Sequence, residues 1–303
     1  MIARLAGRYF IYFCLFMIKI LPCNLLYSFS KALAKLAFFI SVKYRNRALN
    51  NLKNAFKDEK SAPQIKKIAN NLFEQIAWGM AETTKYAYLK GNLTERIKNN
   101  IAIEGKEFLD KALSLNKGVI LVSAHFGNFS LITYRLTQEG YPSNMIFRGA
   151  NDPAVSKVWY NTLNRLGIRW IPAHPKKKSV SESLRWLKKN NVLCLFADQN
   201  KTTGVYVDFF GKPAGTVEGP ALLHLRTKAP LLCAFIIRLS RDRHKIVITS
   251  PIDVKLTGND GQDIYNITKS FTEIIEKFVR EYPSHWWWVH NRWKGMDRLN
   301  PKH

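Results

Sequence analysis

Three polar residues of different chemistry each stand at the end of a short apolar run. Val119-Ile120-Leu121-Val122-Ser123-Ala124 leads into His125, Met145-Ile146-Phe147 into Arg148, and Leu193-Cys194-Leu195-Phe196-Ala197 into Asp198. In an open parallel sheet the carboxyl ends of the strands share one edge, where ligands bind, so a base, a cation and an acid far apart in sequence would converge there. An imidazole with an ordinary pKa of ~6.5 is mostly neutral at pH 7 and can take a proton from a hydroxyl. The hydroxyl could then attack a thioester carbonyl while helix-terminal amides hold the oxyanion.

His125 opens the stretch His125-Phe126-Gly127-Asn128-Phe129-Ser130, which reads as a strand-to-helix junction. Gly127 would let a substrate approach the backbone, and Asn128 is placed to cap the next helix or face the substrate. The competing reading is a hydrogen-bonded core histidine; the strand-end position beside Gly and Asn weighs against it. In Thr216-Val217-Glu218-Gly219-Pro220 a proline near the first turn of a helix leaves amides that could meet phosphate or an oxyanion. Lys176-Lys177-Lys178, placed in the loop after a strand, could receive an acidic carrier protein or a phosphorylated lipid, or simply be solvated. The seven histidines are scattered with no HExxH, and no GxSxG elbow surrounds a serine, so neither a metal nor a serine nucleophile is expected.

The elements that must position these residues follow from periodicity. Apolar runs predict strands at 118-124, 144-147, 168-172, 192-197, 230-237 and 246-249, with helices over 129-139, 153-166, 179-189, 220-228 and 264-282. Strands alternating with helices predict an α/β fold with a mostly parallel central sheet flanked by helices. Upstream, Leu52, Phe56, Ile65, Ile68, Leu72, Ile76 and Met80 recur at helical steps and predict a helical cover. No repeat or Pro/Gly-rich linker is visible, so the division into parts 1-42, 43-95 and 96-303 is soft, with its last boundary near Gly91.

The first part is apolar and basic. Tyr9 to Ile18 is unbroken apolar before Lys19, short of the ~20 residues that span a bilayer. Leu25 to Ile40 is broadly amphipathic around Lys31 and Lys35, and basic residues follow from Lys43 to Arg47. These features predict membrane-anchoring or interfacial helices rather than a cleaved signal, since no A-x-A-like site follows. The whole chain has 303 residues, and its 47 Lys and Arg against 22 Asp and Glu give a net charge of +25, which suits a polyanionic partner. Four cysteines without a CxxC pair fit a reduced, cytosol-facing protein.

Across nearly its whole length the chain resembles the bacterial lipid A biosynthesis (late) acyltransferases of lauroyl and myristoyl type. More loosely it resembles the lysophospholipid-type acyltransferases. The matching stretches are the apolar start with Leu21-Pro22, Asn51-Leu52 through Ala55-Phe56, Ser123 to Asn128, Phe147-Arg148, and Ala197-Asp198-Gln199-Asn200. Further along come Gly204 with Val207 to Gly211, Gly219-Pro220-Ala221, and Trp288-Val289-His290-Asn291-Arg292-Trp293-Lys294. The resemblance implies an O-acyltransferase of the bacterial inner membrane, cytoplasmic face. It would move a fatty acyl chain from an acyl carrier protein or coenzyme A thioester to a glycolipid such as a lipid A precursor, with no cofactor, metal or nucleic acid.

It further implies that His125 is the general base. The family pattern of histidine, four residues, then an acid puts Ser130 where the acid belongs. Asp198 is the first candidate to replace it, followed by Glu218 and Asp208. By the same resemblance Arg148 would hold a phosphate or polarise the donor, and Gln199 and Asn200 would orient Asp198 or line the site. In the Trp-rich end, alternation predicts a buried Trp287 between exposed neighbours. The missing acid also leaves open a catalytically degenerate, membrane-bound protein that binds lipid or nucleic acid.

Overall fold

The computed structural model describes residues 2–89, 93–150 and 152–295. The expected boundary near Gly91 falls outside them. The chain starts with α1 (Ile2–Ile20) and α2 (Cys23–Ile40), separated at Leu21 and Pro22, where proline cannot donate to the preceding turn. α2 buries Leu26, Tyr27, Ser30, Ala34 and Phe38, a stripe at helical spacing, and exposes Leu25, Leu36, Phe39 and Ile40 on the other side. Its inner stripe packs on α4 (Ala62–Tyr86) after the chain has passed through α3 (Val42–Phe56). α4 begins with a capping box between Ser61 and Gln64 and a proline in its first turn.

The α/β layer follows as α5 (Leu93–Asn100), β1 (Ile101–Glu104), α6 (Lys106–Leu113), β2 (Val119–Ser123), α7 (Ser130–Gln138), β3 (Ser143–Phe147) and α8 (Pro153–Arg165). Then come β4 (Arg169–Pro172), α9 (Lys176–Lys188), β5 (Val192–Phe196), the hairpin β6 (Val205–Asp208) and β7 (Pro213–Thr216), and α10 (Gly219–Thr227). β8 (Leu231–Arg238), β9 (His244–Ile248) and α11 (Asp260–Glu281) complete it. The large sheet has the order β1-β9-β8-β2-β5-β3-β4. Strands β8, β2, β5, β3 and β4 run parallel, as the βα alternation predicts, so their carboxyl ends share an edge. β9 pairs antiparallel with β8 and carries β1 parallel to itself.

Two expectations need correction. Lys176, Lys177 and Lys178 form the first turn of α9 rather than a loop. In the Trp-rich end the alternation has the opposite phase: Trp286 and Trp288 are fully buried and Trp287 is half-buried. The physical reason is an aromatic core under the hairpin, where Trp286 lies 4.6 Å from Trp288 and 5.3 Å from Phe209, and Phe210 lies 5.4 Å from Phe56. Edge-to-face pairs of this kind are worth ~0.5–1.5 kcal/mol each beyond the area they bury.

Candidate active site

Strand register brings His125 to Asp198. β2 and β5 pair with Ser123 opposite Phe196, and the ladder continues through an Ala197 N–H to Ser123 carbonyl bond of 3.0 Å. The residue two places beyond each strand end is therefore beside its counterpart, and His125 Nδ1 lies 2.8 Å from Asp198 Oδ1. The other carboxylate oxygen, Oδ2, accepts from Trp286 Nε1 at 2.8 Å. Burial alone would raise the Asp198 pKa; the adjoining imidazole and the bonds from His125 and Trp286 outweigh it and hold the carboxyl below its ordinary range.

The other ring nitrogen, Nε2, lies 3.2 Å from Gln199 Nε2. Phe129, Phe196 and Trp287 surround the imidazole, with ring centroids 4.9, 5.4 and 5.4 Å away. The ring is nonetheless 20% exposed and opens into a cavity. Gly127 lines the same cavity, and at φ 57° it meets a second constraint: a Cβ there would stand 2.2 Å from the Ile236 carbonyl oxygen of β8.

The cavity has a volume of about 1280 Å³, and His125, Asn128, Arg148, Gln199 and Glu218 all line it. Asp198 stands behind the imidazole and is not part of the lining. Met145 of β3 and Leu163 of α8, both almost fully buried, give the cavity an apolar floor. At the mouth stand Met80, Val180 and Leu222, all exposed, together with the cations Lys176, Lys201 and Arg226. Glu218 is ion-paired with Lys201, and that pairing holds its carboxyl below the ordinary range against the opposing effect of burial. Asp208 caps the hairpin turn by accepting from the Gly211 N–H at 2.9 Å, whereas Asn200 donates to the carbonyls of Arg292 and Lys294. Among the described residues no group of three or more His, Cys, Asp or Glu could hold a metal ion.

Ser130 is buried and does not face the imidazole. Its hydroxyl donates to Asn128 Oδ1 at 3.1 Å and lies 3.1 Å from the Thr83 hydroxyl, which also donates to Asn128 Oδ1 at 2.8 Å. The Asn128 side chain does not cap α7; its Nδ2 donates to the buried carboxylate of Glu82 at 3.0 Å. Glu82 and Trp286 are the two site-supporting residues that sequence reasoning missed. The tryptophan run was a visible signal, whereas a lone glutamate in an amphipathic helix carries none.

A family model described as bacterial lipid A biosynthesis acyltransferase matches residues 1–295. The chain belongs to this family. The chain is 22% identical over 284 residues to the lipid A biosynthesis lauroyltransferase of Escherichia coli K12, covering 92% of this chain and 89% of that one. It is 23% identical over 252 residues to the lipid A biosynthesis acyltransferase of Haemophilus influenzae, covering 82% and 74%. It is 33% identical over 135 residues to the phosphatidylinositol mannoside acyltransferase of Mycobacterium tuberculosis H37Rv; here the match takes in 43% of this chain and spans only 42% of the relative. For this family member, the helical start, the parallel sheet and the strand-end polar residues lie within one matched span.

Proposed function

We propose that the protein transfers a fatty acyl chain from a thioester donor to a hydroxyl of a glycolipid, with His125 as general base and Asp198 as the acid that orients it. The observation that carries this reading is the 2.8 Å contact of Asp198 with Nδ1 of an imidazole that opens into a largely apolar cavity. A carboxylate on Nδ1 fixes the tautomer with its proton there and leaves the Nε2 lone pair for a substrate hydroxyl. The hydroxyl oxygen attacks the thioester carbonyl as its proton passes to Nε2. The tetrahedral intermediate then expels the thiol sulfur, which takes the proton back from the imidazolium. Gln199, next to Nε2 when no hydroxyl is bound, is placed to donate to the oxyanion once displaced.

The cavity is larger than the ~300–1,000 Å³ that holds one small ligand, which suits an acyl chain with part of a lipid acceptor. Relatives named for lipid A and for phosphatidylinositol mannoside support a glycolipid acceptor. An acyl carrier protein or coenzyme A would deliver the thioester, and Arg148 and Lys176 at the cavity suit its phosphates. Residues 1-42 would rest at the cytoplasmic face of the bacterial inner membrane, with residues 43-95 covering a catalytic part from 96 to 303. Tyr9, Phe10, Tyr12, Phe13 and Phe16 of α1 are exposed, in keeping with a headgroup-level helix. Among the described residues one helix, Cys23–Ile40, is long and apolar enough to cross a membrane, but its buried stripe on α4 favours lying on the surface.

The test is acyl transfer by purified protein from an acyl thioester to lipid A precursor in vesicles, compared with His125→Ala. Loss of transfer with vesicle binding intact is the expected result. A fully active His125→Ala refutes the assignment, and binding without transfer in the unaltered protein favours a lipid-binding role.

A further inference from the structure

Behind the catalytic loop, one buried carboxylate joins four separate parts of the chain through hydrogen bonds. Glu82 Oε2 accepts from Asn128 Nδ2 at 3.0 Å and from Arg238 Nη2 at 2.8 Å, while Oε1 accepts from Arg238 Nη1 and from the Tyr27 hydroxyl. His244 Nε2 stands 3.3 Å from Oε2. Burial works to raise the Glu82 pKa, yet Arg238 and His244 hold it below the ordinary carboxylate range, so the group is an anion at neutral pH. It is absent from the cavity lining and cannot touch substrate.

The arrangement is costly where a plain apolar contact would have served. A buried ion pair is often no more stabilising than well-packed hydrophobic residues, and its best-attested use is to fix one arrangement of parts. Here the parts are α2 through Tyr27, α4 through Glu82, the end of β8 through Arg238, and the loop after His125 through Asn128. Tyr27 is held at a second point, since its carbonyl accepts from Trp78 Nε1 at 3.1 Å, and the Arg238 guanidinium lies over that indole at 5.4 Å. Asn128 is likewise fixed at both ends of its amide by Glu82, Thr83 and Ser130. It sits three residues beyond the proposed base, with Phe129 next to it against the imidazole at 4.9 Å.

We propose that Tyr27 and Glu82 are positioning residues whose hydrogen-bonded chain to Asn128 sets the catalytic loop from the seat of α2. The site is then fully assembled only while the Tyr27 hydroxyl of the packed helix reaches Glu82. This rests on the acyl-transfer reading, with which it shares the assay.

The experiment compares kcat, KM and thermal midpoint for Tyr27→Phe, Asn128→Ala, the double variant and Leu26→Ala. Leu26→Ala loosens the same helix face without touching the chain of hydrogen bonds. Tyr27→Phe is expected to lower kcat about tenfold with KM within about twofold, the size of losing one hydrogen bond to a charged group. The double variant is expected to be no slower than Asn128→Ala alone, because residues in one network do not add. Leu26→Ala is expected to lower the thermal midpoint more and kcat less.

Unchanged kcat in folded Tyr27→Phe, or fully multiplicative effects in the double variant, overturns the proposal. Should Tyr27→Phe not fold, Glu82→Gln decides: it keeps the side-chain shape and weakens the link between Tyr27 and Asn128, and unchanged kcat there also overturns the proposal. If the unaltered protein transfers no acyl chain, the acyl-transfer reading fails; if it transfers and these variants match it, only the positioning chain fails.

Discussion

Trp286 holds Asp198 from the side opposite His125: its indole N–H reaches Oδ2 at 2.8 Å while the imidazole takes Oδ1 at 2.8 Å. The carboxylate is thus fixed at both oxygens, and only one of the two partners comes from the parallel sheet. The other arrives with the chain after α11, where Phe126 bridges to Trp286 and the Trp287 N–H donates to the His125 carbonyl at 3.1 Å.

Replacing Trp286 by Phe therefore tests the orienting role of Asp198. It removes one charge-assisted bond worth ~1.5–3 kcal/mol and leaves the other. Transfer is expected to slow by about tenfold to a hundredfold at pH 7. The Asp198 pKa is depressed partly by this bond, so losing it raises that pKa. Unchanged transfer by a folded Trp286→Phe would show that the indole does not act on Asp198.

Ser130→Glu is expected to inactivate rather than improve the enzyme. The serine hydroxyl points at Asn128 Oδ1 and Thr83, and Nδ1 of His125 is already taken by Asp198. A carboxylate at 130 would enter a buried network that holds the Glu82 anion through Asn128, with no cation added to pair it. An unpaired buried charge should cost ~3–5 kcal/mol, so the thermal midpoint falls along with transfer. A faster, equally stable Ser130→Glu would mean that Asp198 is not the acid in use.

What the sequence disclosed and what it hid divide along physical lines. β2, β3 and β5 are buried apolar runs bounded by turn residues, and the helices between them make a parallel arrangement the natural one, so the meeting of His125 with Asp198 was legible in advance. Edge strand β1 has only four residues and alternates in burial, β6 is equally short, and β7 is short with Pro and Gly in it, so none of the three stands out by periodicity. The phase of the tryptophan run depended on aromatic partners at Phe209, Phe210 and Phe56. The Glu82–Arg238 pair joins residues 156 positions apart and leaves no local trace.

His285 makes the C-terminal segment sensitive to acid. Its Nε2 accepts from the Arg238 N–H at 3.1 Å, and its carbonyl accepts from Gly127 N–H at 2.8 Å. Burial, with the nearby Arg238 and His244 charges, pushes its pKa down to about 4. Between about 6.5 and 4 the unfolded chain takes a proton that the folded state refuses, so stability rises with pH across this window. Up to about 3 kcal/mol present above pH 6.5 should be lost as the pH approaches 4. His290, also near 4 but less buried, contributes in the same direction. Urea midpoints at pH 7, 5.5 and 4.5 measure this, and His285→Gln, which retains an acceptor without titrating, should flatten the slope.

The cavity floor offers a test of which substrate part lies there. Leu163 and Met145 are nearly inaccessible from outside yet line the same cavity as His125. If an acyl chain ends against them, Leu163→Phe removes room for its last carbons. Each methylene that can no longer be buried is worth ~0.8 kcal/mol, so discrimination against a longer chain should grow about fourfold per carbon. With donors of graded length in competition, the preferred chain should shorten by about one to three carbons while kcat on the new optimum stays near the original. An unchanged chain-length profile in a folded, active Leu163→Phe would place the hydrocarbon elsewhere and leave this floor to the acceptor.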